Sequence, residues 1–589
     1  MTPDAWITLA VVAAILIGLA REVAPPSVLI FVGVVVLLIS GVVDASEAFA
    51  GFSNPAPFTV AALFVVARAV SKTGAIRPLT RSMMGDVGHT RRPMLRMLFP
   101  TALSSGFLNN TPLVAMLIPE VTAWARRRGS DVSKFLLPLS YGAILGGLVT
   151  LIGTSTNLVI AGQMGEVGLE PFSFFELGAV GLPIAIVGIV ILVAISPRLL
   201  ASKQSSAAGF REDTRKFTIE LEVVPGGPVD GKTVEEAKLR HLSDVFLASI
   251  DRGDTTIAPA RPNTVLRGGN LLRFVGEVSQ ILDLQNLAGV RLAEHRHLSE
   301  MESPSARFFQ VVVAPDSPFV GKTLSEAQFR SQYQAAVVAI HRAGHRLEGK
   351  LGEMPIRVGD AFLVVADPEF KDRWQNRSDF LIIASLDDEL SPPARGGGVT
   401  IVILVGMILV AALNIVPILE ASLAAVVLLL AMRILTPDEA RRAVDLEVIG
   451  VIASAFGLAA AMQASGLADL IADGIVTLFQ GIGPTGVLLG IVIATVALTE
   501  LVTNNAAALL MFPIAITGAN AAAIDPRGMA VAVAISASAS FLTPIGYQTN
   551  TMVYGPGGYN IKDYIKTGAP LTLLVIVTVT LLVPVFYGL

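Results

Sequence analysis

The stretch S-G-F-L-N-N-T-P-L-V-A-M-L-I-P, Ser105 to Pro119, is apolar except for one polar knot, Asn109-Asn110-Thr111. Some 395 residues later E-L-V-T-N-N-A-A-A-L-L-M-F-P, Glu500 to Pro513, sets the same amide pair in a second apolar segment. The segments downstream of the two pairs also match. Asn109-Asn110 precedes G-T-S-T-N (Gly153–Asn157) and then P-F-S-F-F-E-L-G-A-V-G-L-P (Pro171–Pro183). Asn504-Asn505 precedes G-Y-Q-T-N (Gly546–Asn550) and then Y-N-I-K-D-Y-I-K-T-G-A-P (Tyr559–Pro570). Three matches in one order, at offsets of about 387 to 395, read as an internal duplication.

Composition says where such a duplication lives. Of the 589 residues, 53% are hydrophobic and 15% charged, against about 25% charged in soluble domains. Val28–Val43, Gly178–Ser196, Val399–Ile418 and Leu571–Leu589 are apolar runs near the length that crosses a bilayer. Roughly ten to twelve such segments are expected, some short or broken. A polytopic α-helical membrane protein is the consequence. The chain has no cysteine, which excludes disulfides and thiolate metal sites. Its six histidines (His89, His241, His295, His297, His341, His345) are scattered, so no resident metal is expected. Met1–Trp6 lacks a basic stretch ahead of its apolar run, so the first run is expected to be a retained span. The arginine clusters sit beside spans, and nothing points to nucleic acid.

Residues from about 198 to 396 differ: charges are frequent and no span fits. This insert repeats itself. P-V-D-G-K-T-V-E-E-A-K-L-R (Pro228–Arg240) matches P-F-V-G-K-T-L-S-E-A-Q-F-R (Pro318–Arg330), 90 residues on. Strand-like runs come after each, Val245–Ile250 with Gly269–Val275, and Ala335–Ile340 with Gly359–Val365. Alternating apolar residues with glycine turns indicate two small α/β subdomains, 205–298 and 299–390. The pattern resembles the TrkA C-terminal domain. The second copy's G-K-T lacks the upstream glycine of a P-loop, with Asp316 where the first copy has Gly226, and the repeated motif reads as a tight turn into a helix. Residues 391–398 form a Pro/Gly linker, leaving 1–197 and 399–589 as the two membrane repeats.

Basic residues favour cytoplasmic loops. Arg77, Arg81, Arg91, Arg92 and Arg96 precede the first amide pair, and Arg126, Arg127 and Arg128 come after it. Both flanks are therefore expected inside, with the pair on a hairpin that enters and leaves on that side. The acidic loop with Glu166, Glu170 and Glu176 falls outside. Arg433, Arg441, Arg442, Lys562 and Lys566 place their loops inside, so the second hairpin enters from outside. The repeats are inverted, residues 198–396 are cytoplasmic, and the amino terminus is outside.

Irregular backbone at membrane depth is tolerated only where protein or a wet cavity satisfies it. Asn110-Thr111-Pro112, Gly153-Thr154-Ser155-Thr156-Asn157 and Thr543-Pro544-Ile545-Gly546 each invite a break. Broken helices expose carbonyl oxygens that suit Na⁺ and N–H groups that suit an anion. Polar residues also glue membrane helices together, but motifs placed in symmetric pairs point to a transport site. The candidate anion-binding residues are Asn109, Asn110, Thr111, Thr154, Ser155, Thr156, Asn157, Asn504, Asn505, Thr543, Gln548, Thr549 and Asn550. Fixed charges are scarce in the spans. Arg68 is expected to snorkel, and Glu500 is a candidate cation ligand or proton carrier, or a residue at a wet hairpin mouth.

Taken together, N-N-T, G-T-S-T-N, T-N-N and T-P-I-G-Y-Q-T-N resemble the divalent anion/sodium symporters of the ion-transporter superfamily. The insert is similar to that of the branch with two TrkA C-terminal domains, which includes sodium/sulfate transporters. The resemblance implies two re-entrant hairpins, an elevator-type mobile domain, a dimerising scaffold and bound Na⁺. It implies sodium ligands at Ser105, Asn109, Asn110 and Gly153, and at Glu500, Thr503, Asn505 and Gly546. It also implies a plasma (inner) membrane location, contact with membrane lipids, a homodimer through scaffold and insert, and an insert that either regulates by taking a nucleotide or other small ligand or serves as an assembly scaffold. The Ser-Asn-Thr of dicarboxylate members is replaced by Asn109-Asn110-Thr111 and Asn504-Asn505-Ala506, which favours sulfate over a dicarboxylate or acidic amino acid. A channel gated by the insert is the competing class, but no T-V-G-Y-G-type filter is present. No nucleophile–base cluster supports an enzyme.

Overall fold

The computed structural model describes residues 2–21, 23–75, 91–127, 130–200, 218–237, 239, 245–252, 256–257, 260–276, 290–292, 307–314, 317–342, 345–347, 351–367, 369–374, 379–385, 396–544 and 546–588. Arg77, Arg81, Arg128, His89, His241, His295, His297 and Ile545 lie outside them.

The apolar runs form helices whose ends are set by caps and prolines. In the first half these are α1 (Pro3–Ala20), α2 (Pro26–Ile39), α3 (Pro55–Thr73), α4 (Arg91–Ser105), α5 (Asn110–Arg127), α6 (Leu136–Gly147), α7 (Ser155–Glu166) and α8 (Gly178–Leu199). In the second they are α9 (Gly397–Ala412), α10 (Ile418–Ala431), α11 (Leu446–Ala464), α12 (Leu467–Phe479), α13 (Pro484–Thr499), α14 (Asn504–Ala521), α15 (Pro526–Ala537), α16 (Gln548–Gly557) and α17 (Ile561–Tyr587). α3 shows the local logic. Asn54 caps it by accepting from Ala56 N, Pro55 occupies its first position, and Gly74 ends it at φ 61°. Proline loses no helical bond at the first position, and glycine alone enters the left-handed region without cost.

Among the described residues, α3, α8, α11 and α17 are long and apolar enough to cross a bilayer, and six shorter apolar helices accompany them. α4 with α5 and α13 with α14 form two helical hairpins, and α6, α7, α15 and α16 flank the two interruptions. α6 and α7, each 12 residues, are about 18 Å long, too short to span alone. α9 begins at Gly397, inside the segment read as linker. Large apolar side chains face outward on α2, α9, α10 and α17; Val402 and Val585 are each 71% exposed. A face of that character fits lipid rather than water.

The halves match in helix order, α1–α3 with α9–α11 and α4–α8 with α13–α17, and they interlock. α2 packs on α11 and α10 on α3, while α8 packs on α17. The approach is closest where a Cβ on Gly51 would meet the Ala453 oxygen at 2.1 Å. In the second group α4 packs on α6 and α13 on α15, and each hairpin's second arm packs on the other half's interrupted helix: α5 on α16, α14 on α7.

The insert forms two five-stranded antiparallel sheets. The first holds β1 (Thr218–Val223), β2 (Val245–Asp251), β3 (Thr256–Ile257), β4 (Leu271–Gly276) and β5 (Val290–Leu292), in the order β3-β2-β4-β1-β5. The second holds β6 (Arg307–Val313), β7 (Ala336–Arg342), β8 (His345–Arg346), β9 (Ala361–Ala366) and β10 (Phe380–Ser385), in the order β8-β7-β9-β6-β10. The orders are the same strand for strand. One bulge coincides, between Leu247 and Ser249 and between Val337 and Ala339, while the second sheet has a further one between Phe380 and Ile382. Where a helix was expected after each Gly-Lys-Thr, the described residues form turns; in the second sheet's unit a short helix, Phe329–Tyr333, comes next.

Candidate functional site

Each half contains a helix interrupted at mid-length, and the same amide closes both interruptions. Between α6 and α7, Asn157 Nδ2 donates to the oxygens of Gly147 and Thr150 at 3.2 and 2.9 Å. Between α15 and α16, Asn550 Nδ2 donates to the oxygens of Ser540 and Thr543 at 2.9 and 3.2 Å. The donor lies ten and seven residues after its acceptors in both cases. A side-chain amide thus satisfies carbonyls that the missing helical turn leaves open. Glycine is required at the crossings: a Cβ on Gly153 would lie 2.6 Å from the Gly147 oxygen, and one on Gly546 2.5 Å from the Thr499 oxygen.

The hairpin tips meet these breaks crosswise. At the first crossing, one end of the Asn110 amide meets the Tyr547 hydroxyl at 2.6 Å. The other end lies 3.2 Å from Gly153 O and 3.1 Å from Ala143 O, against Ser105 Oγ. With nitrogen there, the amide's two N–H groups have all three oxygens within reach. With oxygen there, four oxygens converge, as a bound cation would require. Thr111 Oγ1 donates to Gln548 Oε1 at 3.0 Å, and Asn109 Oδ1 accepts from Thr111 N at 3.2 Å. At the second crossing, Asn505 Oδ1 accepts from Ser155 Oγ at 3.0 Å and Thr156 Oγ1 at 3.2 Å, and Asn504 Nδ2 donates to Thr156 Oγ1 at 2.9 Å. Thr154, whose hydroxyl lies 2.9 Å from that of Tyr547, joins the two crossings.

Four helices therefore begin within one residue of the side chains that cross between the halves: α5 at Asn110, α7 at Ser155, α14 at Asn504 and α16 at Gln548. Their N-terminal ends carry N–H groups that no helical carbonyl satisfies, and positive dipole ends, which suit an anion.

The second break is braced more heavily than the first. Glu500 Oε1 accepts from Phe541 N at 2.7 Å and Leu542 N at 2.8 Å, and Oε2 accepts from Ser540 Oγ at 3.3 Å. Tyr141 Oη donates to Phe541 O at 2.5 Å, and Tyr564 Oη donates to Asn550 O at 2.7 Å. Ser140 Oγ lies 2.7 Å from Asn550 Oδ1 and 2.8 Å from Thr549 Oγ1. Asn157 Oδ1, the equivalent atom in the first break, is buried with no hydrogen-bond partner among the described residues.

Every candidate named from the sequence lies at these breaks and tips. Asn109, Asn110, Thr111, Thr154, Ser155, Thr156, Asn504, Asn505 and Gln548 form the crossings. Asn157, Asn550, Thr549 and Thr543 lie in or beside the break loops, where both asparagine nitrogens are used on the loops' own carbonyls. Thr503 caps α14 by accepting from Ala506 N at 3.4 Å. Glu500 braces a loop, a role not expected from its sequence context. Tyr547, Ser140, Tyr141 and Tyr564 were not expected either. Tyr547 had a signal, since it stands in G-Y-Q-T-N where the first half has Thr154 in G-T-S-T-N. A further clamp joins the halves at one end: Arg527 Nε and Nη2 donate to Glu176 at 2.6 and 2.7 Å.

Comparison with known proteins agrees with this architecture. Residues 11–535 match the family described as citrate transporter. A Chlamydomonas reinhardtii protein provisionally named a sulfur deprivation response regulator is 34% identical over 94% of this chain and 96% of its own. The Synechocystis transporter sll0640, itself uncharacterised, is 32% identical over 99% of this chain and 97% of its own. Sodium/sulfate cotransporter 1 of Chlamydomonas reinhardtii is 25% identical over 90% of this chain and 83% of its own.

Proposed function

This chain belongs to the citrate transporter family and is a multi-pass secondary anion transporter rather than an enzyme; on that premise we propose that it imports a small divalent oxyanion, sulfate first, with Na⁺. The observation that carries this is the crosswise network. Four helix N-termini meet at amide and hydroxyl groups, and Glu500 is the one carboxylate among the residues of that network. Sulfate oxygens would accept from the Asn and Thr side chains and from open N–H groups at the tips. Na⁺ ions would supply the balancing charge. One would sit among Ser105, Asn110 and the Gly153 carbonyl, where the amide end already faces only oxygens. The other would use Thr503, Asn505 and Gly546, with Glu500 holding the loop. The orphaned Asn157 Oδ1 is a further acceptor in the first loop.

In this reading α4–α7 and α13–α16 move together as an elevator against the remaining helices, in a plasma membrane and as a homodimer. The insert faces the cytoplasm as two TrkA-C-like domains that regulate transport. The homologue named a sodium/sulfate cotransporter supports the anion and the coupling ion. Uptake of labelled sulfate into proteoliposomes tests the reading: an inward Na⁺ gradient should stimulate it. Competition by thiosulfate and molybdate should exceed that by succinate and aspartate. Uptake indifferent to Na⁺, or removed wholly by the dicarboxylates, overturns it.

A further inference from the structure

The two sheets of the insert share one fold and differ on one face. Residues 90 apart occupy equivalent strand positions. On the face away from its own aromatic core the second sheet carries Val312, Ala339, Ala361 and Leu363, and all four are buried in the cluster that forms the membrane core. The first sheet has Glu222, Ser249, Leu271 and Arg273 at the same positions, and its apolar cluster is separate. β9, Ala-Phe-Leu-Val-Val-Ala, is buried along its whole length, as a strand covered on both faces must be.

The cover on that second face is specific. The turn into β9 lies against α16: a Cβ on Gly555 would stand 2.7 Å from the Gly359 oxygen and 3.4 Å from Ala361 Cβ, and a Cβ on Gly359 3.4 Å from the Tyr554 ring. β6 passes beside α16, and β10 beside α5. These are the two helices whose N-terminal ends form the first crossing, Asn110-Thr111 on α5 and Gln548 on α16. The turn is also stiffened. Arg342 Nε and Nη2 donate to Asp360 at 2.7 Å each, and Nη2 donates to Pro355 O at 2.8 Å. The Asp360 hydrogen bonds hold the Arg342 guanidinium above its ordinary range. In the first copy the equivalent Arg252 Nη2 donates to Val265 O at 2.7 Å, and Asn270 stands where the second has Asp360.

We propose that the two copies have different jobs: the second is a brace docked on α5 and α16 that holds the first crossing in register, and the first is not part of that brace. The docking surface is the outer face of β6, β7 and β9, and its partner is the far end of the interrupted helix. Any ligand or partner acting on the insert would then reach the site through this copy. The inference rests on the transport reading for its kinetic arm only.

The test transplants the first copy's face onto the second, as V312E/A339S/L363R in the full-length chain. The first sheet already folds with those residues. Hydrogen exchange over 361–366 and 548–557 should accelerate while that over β1, β2 and β4 is unchanged. The KM for sulfate should rise about three- to tenfold, with kcat changed less than KM. Gly555→Ala, which presses a methyl against the Gly359 oxygen, should move both readouts in the same direction. The reverse transplant, E222V/S249A/R273L, should leave KM as it was. Unchanged exchange in the first variant overturns the dock. Faster exchange with an unchanged KM overturns the brace. If the unaltered chain takes up no sulfate, the substrate reading fails, and the exchange measurement still decides the dock.

Discussion

Asn110 and Asn505 stand at equivalent places in the two halves, each the second of an amide pair and each buried at the start of a hairpin's second arm. Their neighbours are opposite in kind. One end of Asn110 faces two carbonyl oxygens and a serine oxygen, and the other faces a tyrosine hydroxyl. Asn505 presents its oxygen to two hydroxyl donors. The breaks they meet differ too. The first is closed by Asn157, by Thr150 Oγ1 donating to Gly106 O and by Leu151 N donating to Phe174 O, whereas the second has Glu500, two tyrosine hydroxyls and Ser140 beside Asn550. The duplication thus reproduced a scaffold and then let its two ends specialise, one around acceptors that suit a cation, the other around donors. Equivalent substitutions in the two halves should therefore have unequal effects.

The widest gap is expected between Glu500 and its counterpart Ser105. Glu500→Ala strips the acceptor from two backbone N–H groups, costing on the order of 3 kcal/mol. Ser105→Ala removes one hydroxyl and costs about 1 kcal/mol. Thermal unfolding in detergent measures both, and Glu500→Gln, which keeps one oxygen, should recover part of the loss. If Glu500 is a brace rather than a proton carrier, Glu500→Gln retains Na⁺-driven uptake.

The laces come next. Asn550→Ala should destabilise by about 2–3 kcal/mol and Asn157→Ala by about 1–2 kcal/mol, because only Asn550 also accepts from Ser140. Equal losses would remove the asymmetry between the breaks. At the crossings, Tyr547→Phe frees Asn110 and Thr154 of their shared partner and should raise the KM for sulfate about tenfold. Ser155→Ala should raise it only about two- to threefold, since Thr156 still serves Asn505. The smallest effect belongs to Thr111→Ala, about twofold in KM, because its bond to Gln548 is exposed. Ala506, its counterpart, is 1% exposed, so a hydroxyl introduced there would act through packing rather than through the anion.

How much of this was legible beforehand depends on whether a residue acts near itself in sequence or far away. The tips and breaks were readable because glycine, proline and clustered amides in an apolar run have few uses other than interrupting a helix. The insert's duplication was readable because a 90-residue offset aligns its turns. The roles of Asn157 and Asn550 were not: an asparagine beside a break can face a ligand or its own loop, and only the loop's path chooses. Glu500 was seen as an unusual charge, but its partners lie about 40 residues on, in Phe541 and Leu542. Tyr141 and Tyr564 gave no sign, since a tyrosine in a membrane segment is most simply read as apolar packing.

The sequence by itself determined that this is a membrane transporter with polar breaks in paired places and a repeated, strand-rich insert. Hydrophobic length, repeat spacing and backbone-breaking residues are local properties that survive in one dimension. The tertiary structure decided how the pairs combine: each tip with the other half's break, and the second sheet with the helix that carries Gln548–Asn550. Those pairings join residues some 350 to 440 positions apart at the crossings and about 200 apart at the sheet. Their selection rests on which buried donor meets which buried acceptor and which apolar face finds cover, and neither is written in any single stretch of chain.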